Sequence, residues 1–296
     1  MTPLLPRFHL FEIDDQPWFP PFLRAHVQEA LHATWVNKVP IIQISSPANL
    51  AAKVLQRTLG HRLGSYTFID FCAGSGGPTP AIERAVNRHL TAQKLPNVDF
   101  VLTDLWPNPE SWARAAAKSE HIGYEPRSVN AADAPRDLLA GYRGKDKKIF
   151  RLFNLAFHHF DDSLAQDILK NTLETSDGFA IFELQGRDLF SFLMPTVLGI
   201  GVLLLTPLHA WRLRSLSALI FTYLIPILPF VLVFDGYISA LRTRTPDEVE
   251  ALMRTCGAPM DGWEIKSGRD LHMPPFGNMN WIVAEKVSSR DWGGGA

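Results

Sequence analysis

Ionisable side chains able to do chemistry recur in this chain where apolar runs end: Asp70, Asp104, Asp133, and the pair His158-His159. Asp70 is followed by Phe-Cys-Ala-Gly-Ser-Gly-Gly, Phe71 to Gly77. Glycines there admit positive φ and carry no side chain, so a ligand can approach the backbone, while the carboxylate can fix a cationic or hydroxylated part of it. That is the chemistry of holding a nucleotide-like molecule. Histidine titrates close to neutral pH, so His158 or His159 could serve as a general base for a hydroxyl nucleophile. Paired histidines can equally pack or bond to backbone without any catalytic part. The two cysteines, Cys72 and Cys256, make no disulfide framework, and no Cys/His cluster has metal-ligand spacing.

Alternating strands and helices are needed to position these groups, and the hydrophobic pattern supplies them. An aromatic-rich start (Phe8, Phe11, Trp18, Phe19, Phe22), fit for a packed cap or a pocket lid, precedes a helix over 21–35, and Ser46-Pro47 opens another over 48–59. Strands are expected to end at Asp70, over 98–103 before Asp104, over 126–132 before Asp133, over 148–157 before the histidines, and over 178–184. Helices are expected between them at 80–90, 111–118 and 163–173. Thr245-Pro246-Asp247-Glu248 reads as a capping box opening a helix to about Cys256. Strands over 263–266 and 280–286, joined by a loop over 268–278, follow. Such alternation predicts an α/β fold with a doubly wound, mostly parallel sheet, whose ligands lie at the carboxyl ends of its strands.

One region breaks the pattern. The chain has 296 residues and is 46% hydrophobic, and much of that content is concentrated over 190–241. The runs 192–210 and 216–234 hold no charge, and at 19 residues each they span about 28 Å as helices, close to a bilayer core of about 30 Å. A hydrophobic hairpin is expected, with three topologies open: two crossings, a shallow or re-entrant insertion, or an apolar lid. Pro195, Pro207, Pro226 and Pro229 should kink it. Arginines lie at the turn (Arg212, Arg214) and at the base (Arg187, Arg242, Arg244), so the positive-inside rule does not orient it. Arg242 and Arg244 could hold a carboxylate or a lipid headgroup, or simply flank the hairpin. Asp235-Gly236 reads as a helix stop or as an acid at a pocket mouth. The net charge of -1 gives no global case for a nucleic-acid partner, and the acidic start lacks the features of a signal peptide.

With these residues assembled, the chain resembles the class I S-adenosylmethionine (SAM)-dependent methyltransferases over 65–186 and 242–286. The resemblance implies a seven-stranded Rossmann-like sheet with an antiparallel last strand. It also implies cofactor binding by Asp70, Ala73, Gly74, Ser75, Gly76, Asp104, Leu105, Asp133, Ala134 and Asn154, with His158 and His159 bordering the transferred methyl group. Asp70 and the glycine loop would meet the methionine part, Asp104 the ribose, and Asp133 the adenine amine. The 30 positions from Gly74 to Asp104 are somewhat long for the family. The expected organisation is an N-terminal cap (1–64), a cofactor-binding core (65–188), the hairpin insert (189–241), the rest of the core (242–288) and a disordered tail (289–296). The expected activity is metal-free methyl transfer to a small hydrophobic acceptor, a lipid, terpenoid or polyketide-like metabolite, at a membrane, with the catalytic domain in the cytoplasm. Two other readings stand beside it. A nicotinamide-dependent oxidoreductase would want glycine where Thr79 stands, and an inactive membrane-anchored binding protein would keep the fold without turnover.

Overall fold

Seven strands form one sheet: β1 (Tyr66–Phe71), β2 (Phe100–Thr103), β3 (Ile122–Tyr124), β4 (Lys148–Asn154), β5 (Gly178–Glu183), β6 (Trp263–Met273) and β7 (Gly277–Lys286). Their order is β3-β2-β1-β4-β5-β7-β6. β1 to β5 pair in parallel, and β7 runs antiparallel to β5 with Ile181 opposite Ile282. The computed structural model describes residues 3–39, 42–143 and 147–287; the tail expected at 289–296 lies outside the described residues.

β1 and β5 are buried along their whole length, as parallel strands covered on both faces must be, which explains their near-continuous apolar sequence. One face carries Ile69, Phe71, Val101, Ile149 and Phe153 into a core with α6 (Asp162–Thr175) and α10 (Pro246–Thr255). The other presents an aromatic layer in which Phe68 stacks on Phe100 at 4.7 Å and meets Phe150 at 5.2 Å. α2 (Pro47–Leu59) and α3 (Thr79–Ala92) pack on each other, and α3 packs on β2. α4 (Pro109–Ala116) lies against β3, and α5 (Arg136–Arg143) against β4. The expected capping box is present: the Thr245 hydroxyl accepts from Glu248 N, and Thr245 N donates back to the Glu248 carboxylate.

Two expectations on strands change. The third strand is 122–124, and 126–132 is irregular, because Pro126 has no N–H to give a ladder. β6 extends to Met273, so the expected loop over 268–278 shrinks to a turn at 274–276.

The chain divides into two compact units, one of Pro47–Glu183, Thr245–Asp270 and Met279–Ala296, which holds most of the sheet, and one of Met1–Ser46, Leu184–Arg244 and Leu271–Asn278. The latter unit contains α1 (Pro21–Val36), α7 (Leu189–Leu213), the short α8 (Leu216–Leu219) leading into a π-helical turn over 220–224, and α9 (Ile227–Arg242). α7 runs through Pro195 and Pro207 as one helix. The second apolar run breaks by 71° between Leu224 and Ile227, where Pro226 ends one segment and opens the next. Asp235 corrects the sequence reading: it lies inside α9, and its carboxylate accepts from Ile13 N at 2.7 Å and Asp14 N at 3.0 Å, so it anchors the N-terminal segment. Arg242 is likewise interior, paired with Glu12 (3.2 Å) and Asp15 (3.1 Å).

Candidate active site

The carboxyl ends of β1, β2, β4 and β5 lie along one edge of the sheet, and the end of β2 meets the loop that follows β1, where Ala73 N donates to Thr103 O. Its backbone turns left-handed repeatedly, with φ of 66° at Cys72, 52° at Gly74, 105° at Gly76 and 46° at Gly77. Glycine relieves this at three of the four positions, and a Cβ on Gly74 would project into open space. Asn108 caps α4 by accepting from Ser111 N, and that helix start is pinned to the loop. Trp112 Nε1 donates to Gly74 O at 2.9 Å, Ser111 Oγ to Ser75 O at 2.8 Å, and Asn108 Nδ2 to Ser75 Oγ at 3.2 Å. Trp112 is wholly buried, so its ring forms the floor of the loop.

Asp104 follows β2 at the same end. One carboxylate oxygen accepts from Gly74 N at 2.8 Å and the other from Trp106 N at 2.8 Å. The acid and the glycine loop, 30 residues apart, are thus in direct contact. Burial holds the Asp104 carboxyl above the usual carboxylate range, while the backbone N–H groups of Trp106 and Gly74 pull the other way. Leu105 and Trp106 beside it are exposed, Trp106 at 81%.

Asp70 sits beneath the loop rather than on its surface. It is 1% exposed, accepts from Thr79 Oγ1 at 2.5 Å and from Asn154 Nδ2 at 3.2 Å, and burial pushes it up to about 8. Thr79, the residue that breaks the dinucleotide fingerprint, therefore ties the first turn of α3 to the end of β1. Asn154 Nδ2 also donates to Thr79 Oγ1 at 3.1 Å, whereas its Oδ1, equally buried, finds no donor among the described residues.

At the end of β4, Leu155 is left-handed (φ 54°), its N bonding Phe182 O, and a 3-10 turn over 157–159 follows. With Cys72 this makes two non-glycine residues of positive φ directly after adjacent central strands, where backbone strain commonly serves a site. His158 is 2% exposed. Its Nδ1 lies 2.8 Å from Glu183 Oε2, and its backbone N donates to Oε1 at 3.1 Å. Glu183, closing β5, thereby fixes the imidazole plane. The His159 ring lies 4.1 Å from that of His158 and is partly exposed.

Asp133 and Ala134 lie in the irregular segment after β3, with Asp133 exposed and Ala134 buried. Arg151 holds this segment in place. Its guanidinium, wholly buried in β4, donates to Ala131 O at 3.1 Å and Asn171 Oδ1 at 2.7 Å, and Asn171 accepts from Ala134 N at 3.3 Å. Desolvation lowers it to about 9. Among the sequence candidates, hydrogen bonds join Gly74 to Asp104, and Asp70 to Asn154 directly and through Thr79. His158 pairs instead with Glu183, and Asp133 makes no side-chain link to either group among the described residues. Thr79, Trp112, Arg151 and Glu183 were missed. Only two of these leave a sequence signal: Arg151 as a cation inside an apolar strand, and Glu183 as an acid closing one.

No protein-family model and no curated protein matches the chain. Among solved structures, a SAM-dependent methyltransferase from Anabaena variabilis ATCC 29413 is 15% identical over 90% of this chain and 96% of that one, with a TM-score of 0.42. Human N-acetylserotonin methyltransferase in complex with SAM is 14% identical over 81% of this chain and 56% of that one, TM-score 0.38. A putative Zn-dependent alcohol dehydrogenase from Rhodobacter sphaeroides is 12% identical over 90% and 98%, TM-score 0.46. Likenesses this distant carry no argument, and the fold rests on the strand order. Five parallel strands ordered 3-2-1-4-5, closed by an antiparallel seventh beside the fifth, make this chain's fold the Rossmann-like fold of the class I methyltransferases.

Proposed function

We propose that the chain is a SAM-dependent methyltransferase acting on a small hydrophobic acceptor at a membrane. One observation carries the reading: the Asp104 carboxylate meets the glycine loop at Gly74, at the carboxyl ends of β1 and β2, beside the β1/β4 position where the strand order reverses. The residues present fit the cofactor. Asn154 offers a buried acceptor lacking a donor, which an ammonium group would satisfy, and Gly74 leaves open space where a side chain would otherwise stand. Asp104 would take the ribose hydroxyls and Leu105 the adjoining ring system, while Asp133 and Ala134 would serve the adenine.

The bound sulfonium would supply an already activated methyl group, so the protein's tasks are alignment and exclusion of water. Gly74, Ser75 and Gly76 would hold the ligand on the pinned loop. His158, its plane set by Glu183, is the base we assign for a hydroxyl acceptor, with His159 beside it. The apolar exposed helix α7 supports a hydrophobic acceptor, such as a lipid, terpenoid or polyketide-like metabolite.

Calorimetric titration tests the cofactor: SAM should bind and NAD should not, and binding of NAD alone would overturn the reading. Comparison of metabolites with and without the gene should then show an acceptor gaining the mass of one methylene unit. Binding of SAM with no such product would favour a non-catalytic binding protein.

A further inference from the structure

The N-terminal segment runs the length of the returning arm of the hydrophobic insert. Starting at the base, Phe8 N donates to Leu241 O (3.1 Å), and Arg242 pairs with Glu12 and Asp15. Halfway along, Asp235 takes the N–H groups of Ile13 and Asp14. Further out, Phe19, Leu23 and Val27 form a core with Leu228, Val231 and Leu232. Phe22 meets Phe221 at 5.4 Å, and near the tip His26 Nε2 lies 3.0 Å from Ser217 Oγ. α9 is consequently covered, and only Phe230 on it is exposed.

α7 is different. Its exposed positions Leu189, Leu193, Thr196, Ile200, Leu204, Leu208 and Trp211 recur every three or four residues, which is one helix face, about 33 Å long. Leu203, Leu205 and Pro207 widen it. The Tyr223 hydroxyl donates to Leu203 O, which places the exposed turn Tyr223, Leu224 and Ile225 beside this stripe. No acid occurs over 189–234, and exposed Arg212 and Arg214 close the helix.

A spanning hairpin would carry the N-terminal strap with it, drawing Asp14, Arg24 and Asp235, which meet halfway along the arm, towards hydrocarbon depth, at several kcal/mol for each charge. Helix α7 is long and apolar enough to cross, with a mean hydropathy of 2.1, but its returning partner is bent by 71°. A face of this length with terminal arginines and interfacial Trp211 and Tyr223 instead suits insertion parallel to the surface. We propose that the outer face of α7 and the adjoining 223–225 turn dock in the plane of one lipid leaflet, with Arg212 and Arg214 on anionic headgroups. This rests on the membrane part of the function proposed above and is independent of methyl transfer.

The test uses the full-length protein and vesicles of phosphatidylcholine with or without phosphatidylserine. Flotation should show binding to both and tighter binding with phosphatidylserine. Leu204→Glu with Leu208→Glu, at exposed positions, should lower binding at least about tenfold. Arg212→Gln with Arg214→Asn should remove the phosphatidylserine preference, about tenfold or more, and leave phosphatidylcholine binding as it was. Asparagine is chosen because Arg214 is left-handed (φ 52°).

In sealed membranes, a membrane-impermeant maleimide should label Arg214→Cys and Trp18→Cys from the same side, above the background of Cys72 and Cys256. Labelling from opposite sides would establish a crossing and overturn the proposal. So would unchanged binding of the double glutamate variant, or a dimer that this variant separates and that binds no vesicles. SAM titration of the same preparations reports separately on the methyltransferase reading.

Discussion

Asp104 and Asp70 are both strand-end acids, yet their surroundings give them different work. Asp104 is half-buried, with its oxygens on Gly74 N and Trp106 N. Asp104→Asn keeps the shape and removes the charge. If Asp104 takes the proposed ribose role, loss of that charged hydrogen bond should weaken SAM binding about tenfold to a hundredfold, read by calorimetry, and unchanged affinity would remove Asp104 from the site. Asp70 braces the loop from below and is pushed up to about 8 by burial, against about 4 in an unfolded chain. The folded state keeps a proton that the unfolded state releases, so this group's stabilisation is full below about pH 4 and is lost as pH rises through about 8. Asp70→Asn should flatten the fall in melting temperature between about pH 5 and about pH 8. A slope identical to the parent's would show that Asp70 ionises normally in the fold.

Among the elements, α4 matters more than its eight residues suggest. It grips the glycine loop through three side chains, and Trp112 does so from a fully buried position. Trp112→Phe keeps most of the ring and deletes the Nε1 donor to Gly74 O. A loss of about 1–2 kcal/mol in denaturant unfolding is expected, together with weaker cofactor binding, because the loop loses its floor contact. Little of this was legible beforehand. The glycine loop, Asp104 and strands β1, β2, β4 and β5 show in sequence because glycines and unbroken apolar runs are local signals. β3 does not, because Ile122-Gly123-Tyr124 is a strand only by virtue of pairing with β2, while Val129 and its neighbours imitate a strand that Pro126 forbids. The bonds from Asp70 to Thr79 and from His158 to Glu183 close over 9 and 25 positions, and such partnerships have no period to read.

For the molecule as a whole, the unit holding the hydrophobic insert is sewn from three separate stretches of chain. The insert is therefore no detachable cassette. Arg242, 5% exposed, and Glu12, 2% exposed, pair at 3.2 Å across the junction of the first and second stretches. Arg242→Ala would leave the Glu12 carboxylate buried with one cation fewer, and a destabilisation of about 3–5 kcal/mol is expected from unfolding measurements. A loss under about 1 kcal/mol would mean that Ser239, whose hydroxyl donates to Glu12 Oε1 at 2.7 Å, satisfies the carboxylate without the arginine.

The strap along α9 also sets an order of events during synthesis. His26 leaves the ribosome 191 residues before Ser217, its neighbour near the tip. At about 5–20 residues per second, the aromatic strap waits roughly 10–40 s for the helix it covers. Throughout that interval Phe19, Phe22, Leu23 and Val27 lack their native partners. The nascent chain thus offers an apolar N-terminal segment to solvent and to chaperones well before the hairpin exists, so protection of that segment is a demand placed on synthesis and not on the finished fold.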